Sequence, residues 1–245
     1  TTLEMNRWKE RGVIQRWESL LTNLGIPTKT LPKPTSRSNR RVNIIKTKPL
    51  PLDGDYLKWT CDEADKNIAP WRHAQPIVLG PSLVVKDKSL RDTTGLQSGN
   101  YAALGYLLWD KHYLYAALLA VAPDHDFEDH LWTYEKSALE IWVGPVQIIL
   151  SCRSDGRREV MGRRLENNEV SAVRGSVHII AKLPAWPDLS LLPLSGKDRG
   201  GAYFLEAAIP WRILGIETPQ IGQDFPLAVG VDFGDSVARR RRFQF

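Results

Sequence analysis

The residues from His130 to Leu150, HLWTYEKSALEIWVGPVQIIL, gather two indoles, a phenol and two carboxylates into one short stretch. A loop carrying Trp132 and Tyr134 leads into an apolar run, ALEIWV, at 138–143. A Gly144-Pro145 turn follows, and then a second run, VQIILS, at 146–151. In a strand alternate side chains share a face. Ala138, Glu140 and Trp142 therefore stand on one side, and Leu139, Ile141 and Val143 on the other. The second set is apolar and reads as core. The first places a carboxylate beside an indole, next to a loop with another indole. A flat aromatic surface beside a hydrogen-bonding acid suits a sugar ring, whose C–H face stacks while its hydroxyls are bonded. The competing reading is a half-buried strand whose indole packs beneath a loop.

Other chemistry is scarcer. No Ser-His-Asp array, phosphate-binding loop, dinucleotide fingerprint or CxxC motif can be assembled. Glu140 and Glu206 could be paired as the acid and base of a glycosidase, but nothing beyond their residue type supports that. The cluster Asp124, His125, Asp126, Glu128, Asp129 and His130 invites a metal. Its carboxylates suit calcium, which takes oxygen ligands in loops, better than its histidines suit zinc. Asp124, Asp126 and Asp129 are the candidate ligands, against the alternative of a solvated acidic loop. Trp186 lies in LPAWP, a proline-braced loop that would hold an indole as a rigid platform or as a lid on a core edge.

The elements that must carry these residues can be read from pattern. Leu3, Trp8, Val13, Trp17, Leu20, Leu21 and Leu24 recur at helical spacing, with Gly25 as a C-cap and Pro27 beyond it. Residues 1–25 are expected as an amphipathic helix. Residues 26–51 carry five prolines and many basic residues, and read as an extended linker in which 42–45 pairs as a short strand. From residue 52 to 245, short apolar runs alternate with turn residues. The runs are 76–79, 83–86, 103–109, 113–121, 138–143, 146–151, 177–183, 203–209 and 226–232. With no helices between them, they predict an all-β fold, an antiparallel sandwich or barrel. Ile209 to Leu214 reads as a strand running into one helical turn. Trp59, Trp109 and Trp211 are expected in the core.

Composition sets further bounds. The first 50 residues hold 11 Lys and Arg against 3 Asp and Glu, and the remaining 195 hold 22 against 25. The net charge of +5 thus comes from the basic N-terminal segment, while the body is mildly acidic. A nucleic-acid partner is not expected, since the body lacks a basic face with interleaved aromatics. Membrane insertion is not expected either, because no apolar run reaches spanning length. Cys61 and Cys152 form one disulfide or sit as buried thiols; the sequence does not choose. Arg239 to Arg242 reads as a charged edge strand or as an anion site.

Four segments, in order, resemble a known family. LDGDYLKW at 52–59 is similar to an opening motif of the form (I/L)-D-G followed by Trp. LGYLLWDKHYLYAALLAVAPDH at 104–125 is similar to a W-D-x-x-(Y/H)-L-Y hairpin with an acidic loop after it. LWTYEKSALEIWV at 131–143 resembles W-x-x-D-S-V-E-(I/L). AYFLEAAIPWRILGI at 202–216, followed by IGQDFPLAVGVDFGD at 221–235, resembles Y-x-(V/L)-E-A-A-I-P-W-x-x-L and a closing V-x-V-x-D strand. Together they resemble the family 9 carbohydrate-binding modules.

The resemblance implies a jelly-roll-like sandwich over 52–245 that binds mono- or oligosaccharides and polysaccharide chain ends without catalysing. Such a module accompanies a neighbouring catalytic domain in a secreted, periplasmic or cell-surface protein, and carries structural calcium. Residue by residue, Trp132 matches the first half of the family's tryptophan clamp. Glu140 matches a hydroxyl ligand, and Gln147 an amide ligand on the next strand. The pattern departs in three places. Ser137 replaces the Asp of D-S-V-E, and Ile149 stands where a basic residue is expected. The second clamp tryptophan would lie beyond Phe245, with Trp186 and Trp142 as substitutes. The expected ligand-binding set is therefore Trp132, Tyr134, Glu140, Trp142, Gln147 and Trp186. These departures also fit a structural or interaction domain that kept the fold and lost the sugar site. A second alternative, a haem-binding sandwich, would need Met161 and His178 as axial ligands.

Overall fold

The computed structural model of the chain describes residues 42–52, 71, 74–75, 77–79, 102–122, 137–152, 158–166, 169–172, 178–182, 201–233 and 241–244. The expected N-terminal helix, Trp59, Cys61, the run at 83–86, Asp124, Asp126, Asp129, Trp132, Tyr134 and Trp186 lie outside them.

Twelve strands are described. They are β1 (Ile45–Lys46), β2 (Ile77–Leu79), β3 (Ala102–Trp109), β4 (Tyr113–Ala122), β5 (Ala138–Val143), β6 (Val146–Cys152), β7 (Arg158–Glu166), β8 (Glu169–Ala172), β9 (His178–Lys182), β10 (Gly201–Pro210), β11 (Leu227–Phe233) and β12 (Arg241–Gln244). They form two six-stranded sheets. The first runs β1-β3-β4-β10-β9, with β2 sharing the β3 edge with β1. The second runs β12-β11-β5-β6-β7-β8. Every pairing is antiparallel except β1 with β3. The all-β sandwich expected from the alternating runs is thus the fold observed.

One core joins the sheets. Leu107, Leu118, Leu205 and Ile209 from the first meet Leu139, Ile141, Ile148, Val231 and Phe233 from the second, and all are buried. Burying such a side chain stabilises by about 1.5–3 kcal/mol. Unusually for antiparallel strands, the outward faces are also buried near the centre. In the first sheet Leu108, Tyr115, Ala117 and Leu119 alternate with core residues and are themselves at most 2% exposed. Burial on both sides explains why β4 reads as an unbroken apolar run rather than an alternating one.

The β3–β4 connection is organised by Asp110. Its Oδ1 accepts from the backbone N–H of His112 at 2.7 Å and of Tyr113 at 2.8 Å, and its Oδ2 accepts from the Tyr115 hydroxyl at 2.8 Å. Its carbonyl accepts from Trp211 Nε1 at 2.9 Å. The Tyr115 oxygen in turn accepts from the Leu50 N–H at 3.2 Å, and Trp109 Nε1 donates to the Ile44 carbonyl at 3.0 Å. Burial pushes the Tyr115 hydroxyl well above its ordinary range, so it stays protonated and donates. The W-D-x-x-Y-L-Y segment is therefore a brace. It ties the hairpin to residues 44–50 on one side and to Trp211 on the other.

Trp211 opens a 3₁₀ turn, Trp211–Leu214, capped by Gly215 in the left-handed region at φ 76°. Trp211 stacks on Phe225 and meets Trp109 edge to face, with ring centroids 5.8 and 6.5 Å apart. This is the strand running into a helical turn that the sequence predicts.

The β7–β8 hairpin was not anticipated. Its residues alternate poorly because the pair extends past the core: on β7, Val160 is 41% exposed and Leu165 56%. Without a covered face there is no period-2 pattern to read. The brace predicts that Asp110→Ala leaves the buried Tyr115 hydroxyl and two turn N–H groups without their acceptor. Stability should fall by about 3 kcal/mol, measured as a lower urea midpoint at unchanged slope.

Candidate functional site

The β5–β6 hairpin closes with the two-residue turn Gly144-Pro145 between the partners Val143 and Val146. Gly144 sits at φ 53°, which a first-position glycine supplies without strain, and Pro145 fixes the second position. The turn is tied on both sides: Gly144 N–H donates to the Pro226 carbonyl and Leu165 N–H to the Pro145 carbonyl, each at 2.9 Å. The register it sets sends Leu139, Ile141 and Val143 into the core and Ala138, Glu140 and Trp142 to the outward face, as the alternation requires.

On that outward face the sheet builds rows. Trp142 of β5 stands opposite Gln147 of β6, and Gln147 opposite Arg163 of β7. In the next row Gly230, Glu140, Ile149 and Met161 follow one another across β11, β5, β6 and β7. Gln147 is diagonal to Glu140, and its Nε2 donates to Glu140 Oε2 at 2.9 Å. Gln147 Oε1 accepts from Arg163 Nε. A carboxylate only accepts and a guanidinium only donates, so the amide can face one way alone.

Exposure along this chain of bonds is graded. Glu140 is 0% exposed and Gln147 3%, Trp142 is half-buried, and Arg163 is exposed. An ionised carboxylate that loses all its water must recover hydrogen bonds and a countercharge from the protein. Gln147 supplies a bond and relays the charge of Arg163. Glu140 is therefore the inner anchor of the row. The groups that reach solvent are Trp142 and Arg163.

Arg163 is the residue that sequence reading missed. Ile149, where the family pattern calls for a base, is 1% exposed and gives this face no charge. A base reaches this row from the neighbouring strand β7, where Arg163 bonds Gln147. Its signal was the Arg163-Arg164 pair ahead of a polar turn, which in a strand sends one arginine to each face. Arg164 takes the other side, where its Nη1 donates to Glu166 at 2.8 Å and its guanidinium crowds Gly215.

Two further features complete the face. Ser151 Oγ donates to the Ser137 carbonyl at 2.8 Å, and both residues are buried. Ser137 thus occupies the position of the family's Asp as a packed strand end. Asp232 of β11 is 0% exposed, and its register partner on the edge strand β12 is Arg242. The two fully buried acids of this face, Glu140 and Asp232, thus lie on the adjacent central strands β5 and β11.

Glu140 and Glu206 do not converge. Each neighbours core residues and points away from the core, in different sheets. Both sheets and the roughly 10 Å between them separate the two carboxylates, more than a glycosidase pair permits. Met161 lies in the outward row of Ile149 in the second sheet and His178 in the first sheet. Their strands belong to different sheets. Among the described residues no group of three His, Cys, Asp or Glu is placed to hold a metal. Among them, no helix is long and apolar enough to cross a membrane.

No family model and no curated protein matches the chain. Among solved structures, it is similar to a family 9 carbohydrate-binding module from Caldicellulosiruptor kristjanssonii in complex with glucose. The identity is 19% over 84% of this chain and 85% of that one, with a TM-score of 0.48. A family 9 module from the same organism in complex with cellotriose is similar at 18% identity, covering 82% of each chain, with a TM-score of 0.46. These likenesses are distant.

The graded row predicts unequal costs. Gln147→Leu removes a donor from a fully buried carboxylate and should cost about 2–3 kcal/mol. Arg163→Gln, at the solvent end, should stay within about 1 kcal/mol. Denaturant titration of the two variants measures the contrast.

Proposed function

We propose that the chain is a non-catalytic carbohydrate-binding domain whose site is the outward face of the second sheet. The observation that carries this reading is the row Trp142–Gln147–Arg163, an indole, an amide and a guanidinium side by side, backed by the buried Glu140. A pyranose stacks its C–H face on the indole, and the guanidinium, held in place by the buried amide, bonds its hydroxyls. Trp132 and Tyr134, which precede β5 in the sequence, and Trp186 are the further aromatic candidates for ligand contact. Such a site gives dissociation constants on the order of micromolar to millimolar. The domain acts as an accessory to a neighbouring catalytic domain in a secreted, periplasmic or cell-surface protein. Asp124, Asp126 and Asp129 hold a structural calcium ion.

Calorimetric titration with glucose, cellotriose and other neutral and acidic sugars tests the reading. Saturable binding that weakens at least tenfold in Trp142→Ala and in Trp132→Ala is the expected result. Absence of heat with every sugar would reject it. Calcium should raise the melting temperature and a chelator lower it, with the shift lost in Asp126→Ala; an unchanged melting curve would reject the ion.

The burial of Glu140 at 0% and Gln147 at 3% favours a second reading, a structural or interaction domain in which this face is closed. It predicts no sugar binding and the same stability in Trp132→Ala as in the unaltered chain.

A further inference from the structure

Gln147 is pinned between an acid it shields and a base it holds. Its Nε2 is committed to Glu140 at 2.9 Å, so Oε1 faces Arg163 and takes the Nε–H. A guanidinium gripped at Nε keeps both terminal nitrogens on its far edge, where each presents one N–H in parallel. Arg163 is exposed and, among the described residues, has no carboxylate bonded to that edge. Its neighbour shows the contrast, since Arg164 spends Nη1 on Glu166 at 2.8 Å. The structure therefore presents an arginine already oriented by a buried network, with an open planar fork at the solvent boundary.

The fork lies in the row of Trp142, two strand spacings of roughly 4.8 Å away. Because Nε is drawn onto Gln147, the guanidinium leans back toward the indole. A sugar ring seated on Trp142 thus brings one edge to Arg163. The group that matches a two-nitrogen fork best is a carboxylate, whose two oxygens accept in parallel. The acid in the network does not compete for it, since Glu140 is buried and already bonded to Gln147.

We propose that Arg163 makes this face selective for uronic acids, sugars whose C6 is a carboxylate. This rests on the outward face being the sugar site. The ordering cost is low because the network has already fixed the side chain before the ligand arrives.

The test compares methyl β-glucoside with methyl β-glucuronide, which differ only at C6, and includes the 6-sulfate of the glucoside. Binding of each is measured by calorimetry on the full chain, on Arg163→Gln and on Arg163→Lys, with melting temperature as the folding control. The glucuronide should bind about tenfold or more tighter than the glucoside. That ratio should fall to near one in Arg163→Gln and be partly kept in Arg163→Lys, and it should shrink in salt. Equal binding of glucoside and glucuronide, or a preference that survives in Arg163→Gln, overturns the inference and leaves the sugar site standing. Equal preference for sulfate overturns carboxylate recognition in favour of charge alone. Binding of none of the three overturns the sugar reading and the inference together.

Discussion

A carboxyl group with no access to solvent sits near the middle of the second sheet, and the surrounding face is arranged around meeting its hydrogen bonds. Glu140 has apolar neighbours along its strand and a glycine and an isoleucine across it. Left there alone it would cost several kcal/mol. Gln147 on the next strand and Arg163 on the one after bring hydrogen bonding and positive charge to it in sequence. Each step moves one strand closer to solvent. The price of the buried acid is thus met by a polar row that ends in an exposed, oriented cation, and that row is also the best candidate for ligand contact.

The same logic recurs at larger scale. Asp232 is equally buried on the central strand β11, with Arg242 as its register partner on the edge strand. The four consecutive arginines at 239–242 therefore bring one of their number opposite a buried acid. Charge on an edge strand also discourages pairing with a second chain. In the first sheet the polar load falls on Asp110, which ties a hairpin, residues 44–50 and the 3₁₀ turn together through one carboxylate and one carbonyl.

Period-two alternation placed β5 to the residue, because one of its faces is core and the other carries the acid and the indole. The hairpin turn was legible as well, since Gly144-Pro145 leaves few other geometries. The Asp110 hairpin and the strand running into Trp211 were readable from their turn residues and prolines. By contrast β7 and β8 escaped, since neither face of the overhanging hairpin is covered and burial is what imprints a pattern. Ile149 was correctly seen to lack the charge expected of its position. Nothing local showed that Arg163 would supply it, because that depends on which strand pairs with β6.

The amino-acid sequence by itself determined the fold class, most strand positions, and the presence of an indole and an acid on one strand face. Those features depend on local spacing, which a linear pattern records directly. Tertiary structure alone decided that Glu140 is buried and Trp142 only partly so, that Glu206 belongs to the far face of the other sheet, and that an arginine sixteen positions after Gln147 completes its hydrogen bonds. Register and burial are properties of the assembled sheets. They are set by pairing between segments distant in the chain, and no single segment carries them.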